Sequence, residues 1–197
     1  MDEIFTFYYK ETLECLEENG AKLFYFSPYK DEELPDVDAL YIGGGYPEVF
    51  KKELSKNHSM LKSIHDFHTD NHPIYGECGG LIYLSNSIDN LKMVKSIPYD
   101  SQMTPNVQGL SYVVAKSNQD NLISNKGDIF RAHEFHYTKL NINDTPNFVF
   151  DVLRGRGIIN KLDGISVGNT LANYIHIHPC SHPNFGYNFT RNIVELD

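Results

Sequence analysis

The chain has few cysteines. Cys15, Cys78 and Cys180 sit in three unlike contexts among 197 residues and do not form a disulfide framework. Such a chain is expected in a reducing cytoplasm. Basic residues are also scarce. There are 17 against 26 acidic ones, giving a net charge of -9 with no basic stripe, so nucleic acid is not an expected partner. Apolar runs are strand-sized and too short to span a membrane, so no membrane partner is expected. The opening "MDEIFTFYYKETLE" is acidic at once and has no signal-peptide h-region. The phosphate-loop pattern G-x-x-x-x-G-K-[ST] is missing throughout. There is no internal repeat, low-complexity tract or interdomain linker. With 41% hydrophobic residues, the chain suits one compact domain with a real core.

The first half alternates strand and helix signals. Strands are expected at 4–9, 22–26, 39–44 and 73–77, and helices at 10–20, 47–57, 59–71 and 79–87. Pro47 stands where a helix start tolerates its missing N–H, and Gly20 where a helix stops. This alternation predicts a parallel sheet with helices on both faces. The second half gives successive strand candidates at 110–116, 127–140, 147–153, 164–169 and 171–178, which predict antiparallel additions. A closing helix is expected over 181–196, with Ser181 as N-cap and Phe185, Phe189 and Ile193 at fourfold spacing.

"PIYGECGGLIYL" (73–84) runs from a strand into a helix through Gly76, Glu77, Cys78, Gly79 and Gly80. Gly-x-nucleophile-x-Gly between strand and helix is the pattern of a nucleophile elbow, whose strained turn leaves no room for flanking side chains. The helix N-terminus favours a thiolate, and the Gly79 N–H is placed to hold an oxyanion. An ordinary buried cysteine is the competing reading. No second cysteine lies close enough for a redox pair, and the locality lacks the ligands of a structural zinc site. "YIGGGYPE" (41–48) offers a second oxyanion donor, a phosphate cradle or a plain turn. "YIHIHP" (174–179) puts His176 and His178 on one face of a strand. One would serve as base for Cys78, with a metal pair or exposed histidines as alternatives. "RAHEFHYTKL" (131–140) reads H-E-x-H on a strand, which fails the zinc-protease spacing. There Glu134 shares a face with His136, and His133 with Phe135; the Glu–His pair either binds a polar ligand or lies on an exposed edge.

In order along the chain, the stretch from "FYYKETLECLEENG" to "YIGGGYPE", then "PIYGECGGLIYL", "RAHEFHY" and "ANYIHIH" resemble the glutamine amidotransferase domain of cobyrinate a,c-diamide synthases. That domain belongs to the cobyric acid synthase branch of the class I glutamine amidotransferases. The resemblance implies a flavodoxin-like α/β fold and one amidotransferase domain over 1–197. It also implies that the family's ATP-dependent ligase domain is absent from this chain. Carried over by motif, Cys78 is the nucleophile and His176 its base. Gly44, Gly45 and Gly79 form the oxyanion and substrate-binding backbone. His178 stands where the class usually has glutamate, which implies a dyad, and Ile82 stands where it often has glutamine. Glu134 and His136 are placed near the cleft. The implied partners are L-glutamine and a ligase domain or subunit. No metal or cofactor is expected on this domain, and ATP and Mg are expected on the ligase domain. The implied product is ammonia for a,c-diamidation of a tetrapyrrole, of cobyrinate or nickel-sirohydrochlorin type, in cobalamin or coenzyme F430 biosynthesis. A stand-alone cysteine hydrolase and a non-catalytic tetrapyrrole-binding module are the rival readings.

Overall fold

The computed structural model describes residues 2–194. Helix α1 (Lys10–Glu18) leads to strand β1 (Leu40–Ile42), helices α2 (Lys51–Leu54) and α3 (His58–Thr69), strand β2 (Ile74–Glu77) and helix α4 (Gly79–Leu84). Two short strands, β3 (Ser87–Ile88) and β4 (Leu91–Lys92), come next, then β5 (Asp100–Met103), β6 (Gly109–Ser117), β7 (Ile129–His136) and β8 (Thr138–Asn141). The chain continues through β9 (Phe148–Arg154), β10 (Leu162–Val167), β11 (Thr170–Asn173) and β12 (His176–Ile177), and closes with α5 (Phe185–Val194).

The main sheet has eight strands in the order β1-β2-β11-β10-β9-β6-β7-β12. β1, β2 and β11 are parallel and the remaining pairings are antiparallel. The expected α/β sheet with antiparallel additions is therefore present. A smaller sheet, β4-β3-β5-β8, packs beside it. Strand β2 is buried on both faces, as a central parallel strand must be. Ile74 joins the core that holds Met60, Ile64 and Leu81, while Tyr75 joins the core that holds Leu16, Phe185 and Phe189.

The sheet curls on itself. β11 lies near its middle and β12 at its far edge, yet only Tyr174 and Ile175 separate them in sequence. The single strand expected over 171–178 is therefore two, one paired with β2 and one with β7. A similar break at Tyr137 splits the strand expected over 127–140 between the two sheets.

Two expected strands do not form. Residues 4–9 make only an isolated bridge, Phe7 to Gly44, and residues 22–26 have no regular structure. Alternating apolar residues favour a strand, but a strand exists only through a pairing partner. The helix expected over 47–57 shrinks to Lys51–Leu54, because Tyr46 to Phe50 form a turn closed by Val49 N–H to Tyr46 C=O at 3.0 Å. Ser181 is not the cap of the last helix. It ends a 3-10 turn (Pro179–Ser181), and its hydroxyl donates to the carbonyl of Arg131 at 2.6 Å. Phe185 and Phe189 are buried as expected, each stabilising the fold by roughly 2 kcal/mol. Glu195 and Leu196 of the expected helix lie outside the described residues.

Candidate active site

Cys78 joins β2 to α4 with φ 50° and ψ -95°, a conformation that side chains rarely adopt. Its N–H donates to the carbonyl of Asn173 at 2.7 Å, which fixes the elbow to the end of β11. Gly80 explains part of the motif: a Cβ there would lie 2.1 Å from the carbonyl oxygen of Ile42. The turn therefore presses directly on β1. The thiol of Cys78 is nearly buried, and its sulfur lies 3.7 Å from the Phe135 carbonyl on β7. The curl of the sheet creates this contact.

His176 reaches the same place from β12. Its ring interacts with the Cys78 side chain, and its Nδ1 donates to Glu77 Oε1 at 2.9 Å. Glu77 is the residue just before the elbow and is fully buried. Its other oxygen accepts from the Tyr75 hydroxyl at 3.2 Å and from the Ile177 N–H at 3.4 Å. Burial works against a charged imidazole at His176, but its interactions with Cys78 and Glu77 outweigh it. They push the His176 pKa up to about 10. The result is a line Cys78–His176–Glu77 in which the carboxylate orients the ring and the ring can take the thiol proton.

The sequence pattern did not single out Glu77. It fills the variable position of the elbow motif, so the motif itself carries no signal for it. A carboxylate on a strand whose other residues are all apolar or glycine was the available hint.

His133, opposite His176 in the β7–β12 register, was also missed. The rings stack at 4.6 Å between centroids with planes 15° apart. His133 Nδ1 shares a hydrogen bond of 2.9 Å with the Tyr9 hydroxyl. Phe7 closes the cluster edge-on to His176 at 4.6 Å. Burial, together with the charge of His176, holds the His133 pKa below the usual histidine value.

The glycine turn meets this cluster from the other side. A Cβ on Gly44 would lie 2.5 Å from His176 Cε1, so the backbone approaches the ring as only glycine allows. The Gly44 N–H is already spent on the Phe7 carbonyl at 3.0 Å, so it is not an oxyanion donor. The Gly45 N–H has no acceptor among the described residues, and a Cβ on Gly79 would come within 2.8 Å of that nitrogen. Gly79 opens α4, where the helix offers its own N–H no acceptor. Two free N–H groups therefore lie together beside Cys78.

The remaining expected residues lie elsewhere. His178 lies just past the end of β12, still in extended backbone, and borders the His133–His176 cluster through Tyr9. His178 caps the 3-10 turn by accepting from the Cys180 N–H at 3.2 Å, and its ring packs on Tyr9 at 4.5 Å. Glu134 and His136 do share the inner face of β7, as expected. Glu134 accepts from the Ser111 hydroxyl at 2.7 Å and from the N–H groups of Arg156 and Gly157 at 2.7 and 3.0 Å. His136 stacks on Tyr174 at 3.7 Å and donates from Nδ1 to the Thr138 carbonyl at 2.8 Å. Burial pushes its pKa down to about 4. Ile82 is buried in the core, so that position offers a ligand nothing.

Residues 1–184 match the CobB/CobQ-like glutamine amidotransferase domain. The chain belongs to that family. It is 57% identical over 196 residues to the cobyrinate a,c-diamide synthase of Methanothermobacter thermautotrophicus, covering 100% of this chain and 44% of that protein. The namesake from Methanosphaera stadtmanae is also 57% identical over 196 residues, covering 98% of this chain and 43% of its own length. The chain thus spans less than half of these relatives. Among solved structures, PurLQS from Thermotoga maritima aligns with a TM-score of 0.65 and 15% identity, over 95% of this chain and 92% of that one. A glutamine amidotransferase from the same organism aligns with a TM-score of 0.60 and 13% identity, over 94% of this chain and 78% of its own. These likenesses show a shared fold for this amidotransferase domain. Among its described residues, no helix is long and apolar enough to cross a membrane.

Proposed function

We propose that this domain hydrolyses the side-chain amide of L-glutamine and hands the ammonia to an ATP-dependent a,c-diamide synthase. The observation that carries the reading is the buried line Cys78–His176–Glu77 on a strained elbow beside the Gly45 and Gly79 N–H groups. His176 takes the Cys78 proton, and the sulfur attacks the amide carbon. The Gly45 and Gly79 N–H groups hold the oxyanion as the carbonyl π bond opens. His176 returns its proton to the leaving nitrogen, the C–N bond breaks, and ammonia departs from a glutamyl thioester. Water, deprotonated by His176, then attacks the thioester and releases glutamate and the thiol. Glu77, hydrogen-bonded to Nδ1, orients the ring and stabilises the imidazolium.

The 44% span of the synthase relatives supports assigning the ligase step, with its ATP and Mg, to a segment or subunit outside residues 1–197. The amidated substrate in this reading is a tetrapyrrole dicarboxylate of cobyrinate or nickel-sirohydrochlorin type, and the setting is the cytoplasm. This domain needs no metal or cofactor of its own for the glutaminase step.

Glutamate release from glutamine, with and without a synthase partner, tests the proposal. Cys78→Ala should abolish release, and retained turnover would refute the assignment. A glutamine-mimicking electrophile should label Cys78, which is nearly buried, ahead of Cys180, which is exposed. Labelling that simply follows exposure would point to a chemically ordinary thiol.

A further inference from the structure

Asp163, on β10, is a fully buried carboxyl that the proposed chemistry does not use. Taking a carboxyl out of water is costly unless hydrogen bonds replace the water. Asp163 Oδ1 accepts from the N–H of Gly164 at 2.7 Å and from that of Tyr174 at 3.1 Å. The Ile175 backbone interacts with the same carboxyl. Tyr174 and Ile175 are the two residues that separate β11 from β12.

The strand register shows what these bonds achieve. β10 and β11 pair as Ile165 with Ala172, Ser166 with Leu171 and Val167 with Thr170. Continued in the same register, that ladder would set Asp163 opposite Tyr174. It stops short of them, beside Gly164 with φ 70°. The Tyr174 N–H bonds the Asp163 side chain in place of its main chain. The chain thus leaves β10 and crosses to β7, where His176 pairs with His133.

Other groups fix the same step. The Asn173 side-chain amide donates to the Ile175 carbonyl at 2.6 Å. The Tyr174 ring stacks on His136 at 3.7 Å, and its hydroxyl lies 3.0 Å from Thr138 Oγ1. On one side of the step the Asn173 carbonyl holds the Cys78 N–H. On the other side the His176 ring meets Glu77 and Cys78. A shift of Tyr174 and Ile175 therefore moves His176 relative to Cys78.

We propose that Asp163 is a positioning residue, whose carboxyl clamps the Tyr174–Ile175 step and so sets where the His176 ring stands against Cys78 and Glu77. Its effect on turnover rests on the glutaminase reading; its effect on the His176 ring does not. The acceptor oxygen is the working part of the clamp. Burial pushes the Asp163 pKa up to about 7 against the pull of the Gly164 and Tyr174 N–H groups, so the protonated acid is well populated near neutral pH. Oδ2 has no partner among the described residues, which makes it the oxygen that carries the proton while Oδ1 goes on accepting. An amide oxygen should serve equally well.

The test uses Asp163→Asn, which keeps an acceptor, and Asp163→Ala, which removes it. Two quantities are read in the parent and in both variants. One is kcat and KM for glutamate release, with the synthase partner present where turnover needs it. The other is the NMR titration of the His176 ring. In Asp163→Ala, kcat should fall about tenfold to a hundredfold with KM little changed. The His176 pKa, held at about 10 against its burial by Cys78 and Glu77, should move down toward the ordinary value of about 6.5. Asp163→Asn should restore both quantities to near the parental values. If Asp163→Ala does not fold, Asp163→Ser, whose shorter arm cannot reach both N–H groups, takes its place with the same expectations. Parental kcat and His176 titration without the acceptor would overturn the proposal. So would equal losses in Asp163→Asn and Asp163→Ala, or a lower melting temperature with kcat and the His176 titration unchanged. A parent that releases no glutamate would count against the glutaminase reading alone, since the His176 titration still decides the clamp.

Discussion

His133 lies flat against His176, with 4.6 Å between ring centroids, and is tied at its far nitrogen to the Tyr9 hydroxyl. An imidazole in this position holds the face of the His176 ring, the proposed base. It leaves both of that ring's nitrogens free for Glu77 and Cys78.

His133→Ala should lower kcat by about a hundredfold, since a ring misplaced by about an ångström costs roughly that much. His133→Phe keeps the stacked surface and loses only the Tyr9 bond, so it should recover most of the rate. Measured kcat and KM for the two variants decide the matter. Equal losses in both would mean that stacking is not what His133 contributes.

Glu77→Gln keeps an acceptor for Nδ1 but removes the charge. The expected fall in kcat is about tenfold to a thousandfold, with KM for glutamine little changed. The same substitution has a pH signature. The folded-state pKa of His176 is raised, so its contribution to stability is full below about pH 6.5 and is lost as pH rises through about 10. Without the Glu77 charge the loss should set in at lower pH. Denaturant titrations across the alkaline range would show this, and an unshifted limb would contradict it.

Gly44→Ala places a methyl group 2.5 Å from His176 Cε1, closer than carbon atoms pack. The ring must move, so turnover should drop about a hundredfold or more while circular dichroism stays that of the parent. A fully active Gly44→Ala enzyme would show that the His176 ring is not held by this turn.

His136 titrates in the opposite sense to His176. Burial lowers its folded pKa to about 4, so as pH falls from about 6.5 the unfolded chain takes a proton that the folded one refuses. Stability should fall by up to about 3 kcal/mol over that range. His136→Phe keeps the stack on Tyr174 and removes the titration, so its stability should depend less on acid. Asp163, whose carboxyl burial pushes up to about 7, works against this trend in both proteins. The informative quantity is thus the difference between them at each pH. No difference would exclude His136 as the source.

Local pattern made the elbow legible in the sequence. Glycines on both sides of Cys78, a strand before it and a helix after it are all statements about neighbours in the chain. His176 was legible because a distant histidine on a strand suits a thiol. Glu77 and His133 were not, because each is defined by a contact across the curl, and the curl follows from breaks at Tyr137 and at Tyr174–Ile175 that no turn residue announces. Segment 22–26 has strand composition yet forms no strand among the described residues. It shows that pairing, more than propensity, decides whether a strand exists.

The two-residue step from Asn173 to His176 gives the domain a built-in gauge of its own integrity. Asn173 anchors the Cys78 backbone and His176 is the proposed base, so the proposed reacting pair hangs from one short tether. Any loosening of the seam between β7 and β12 would part sulfur from nitrogen before a single helix melts. Catalysis would then cease at temperatures where spectroscopy still reports a native protein.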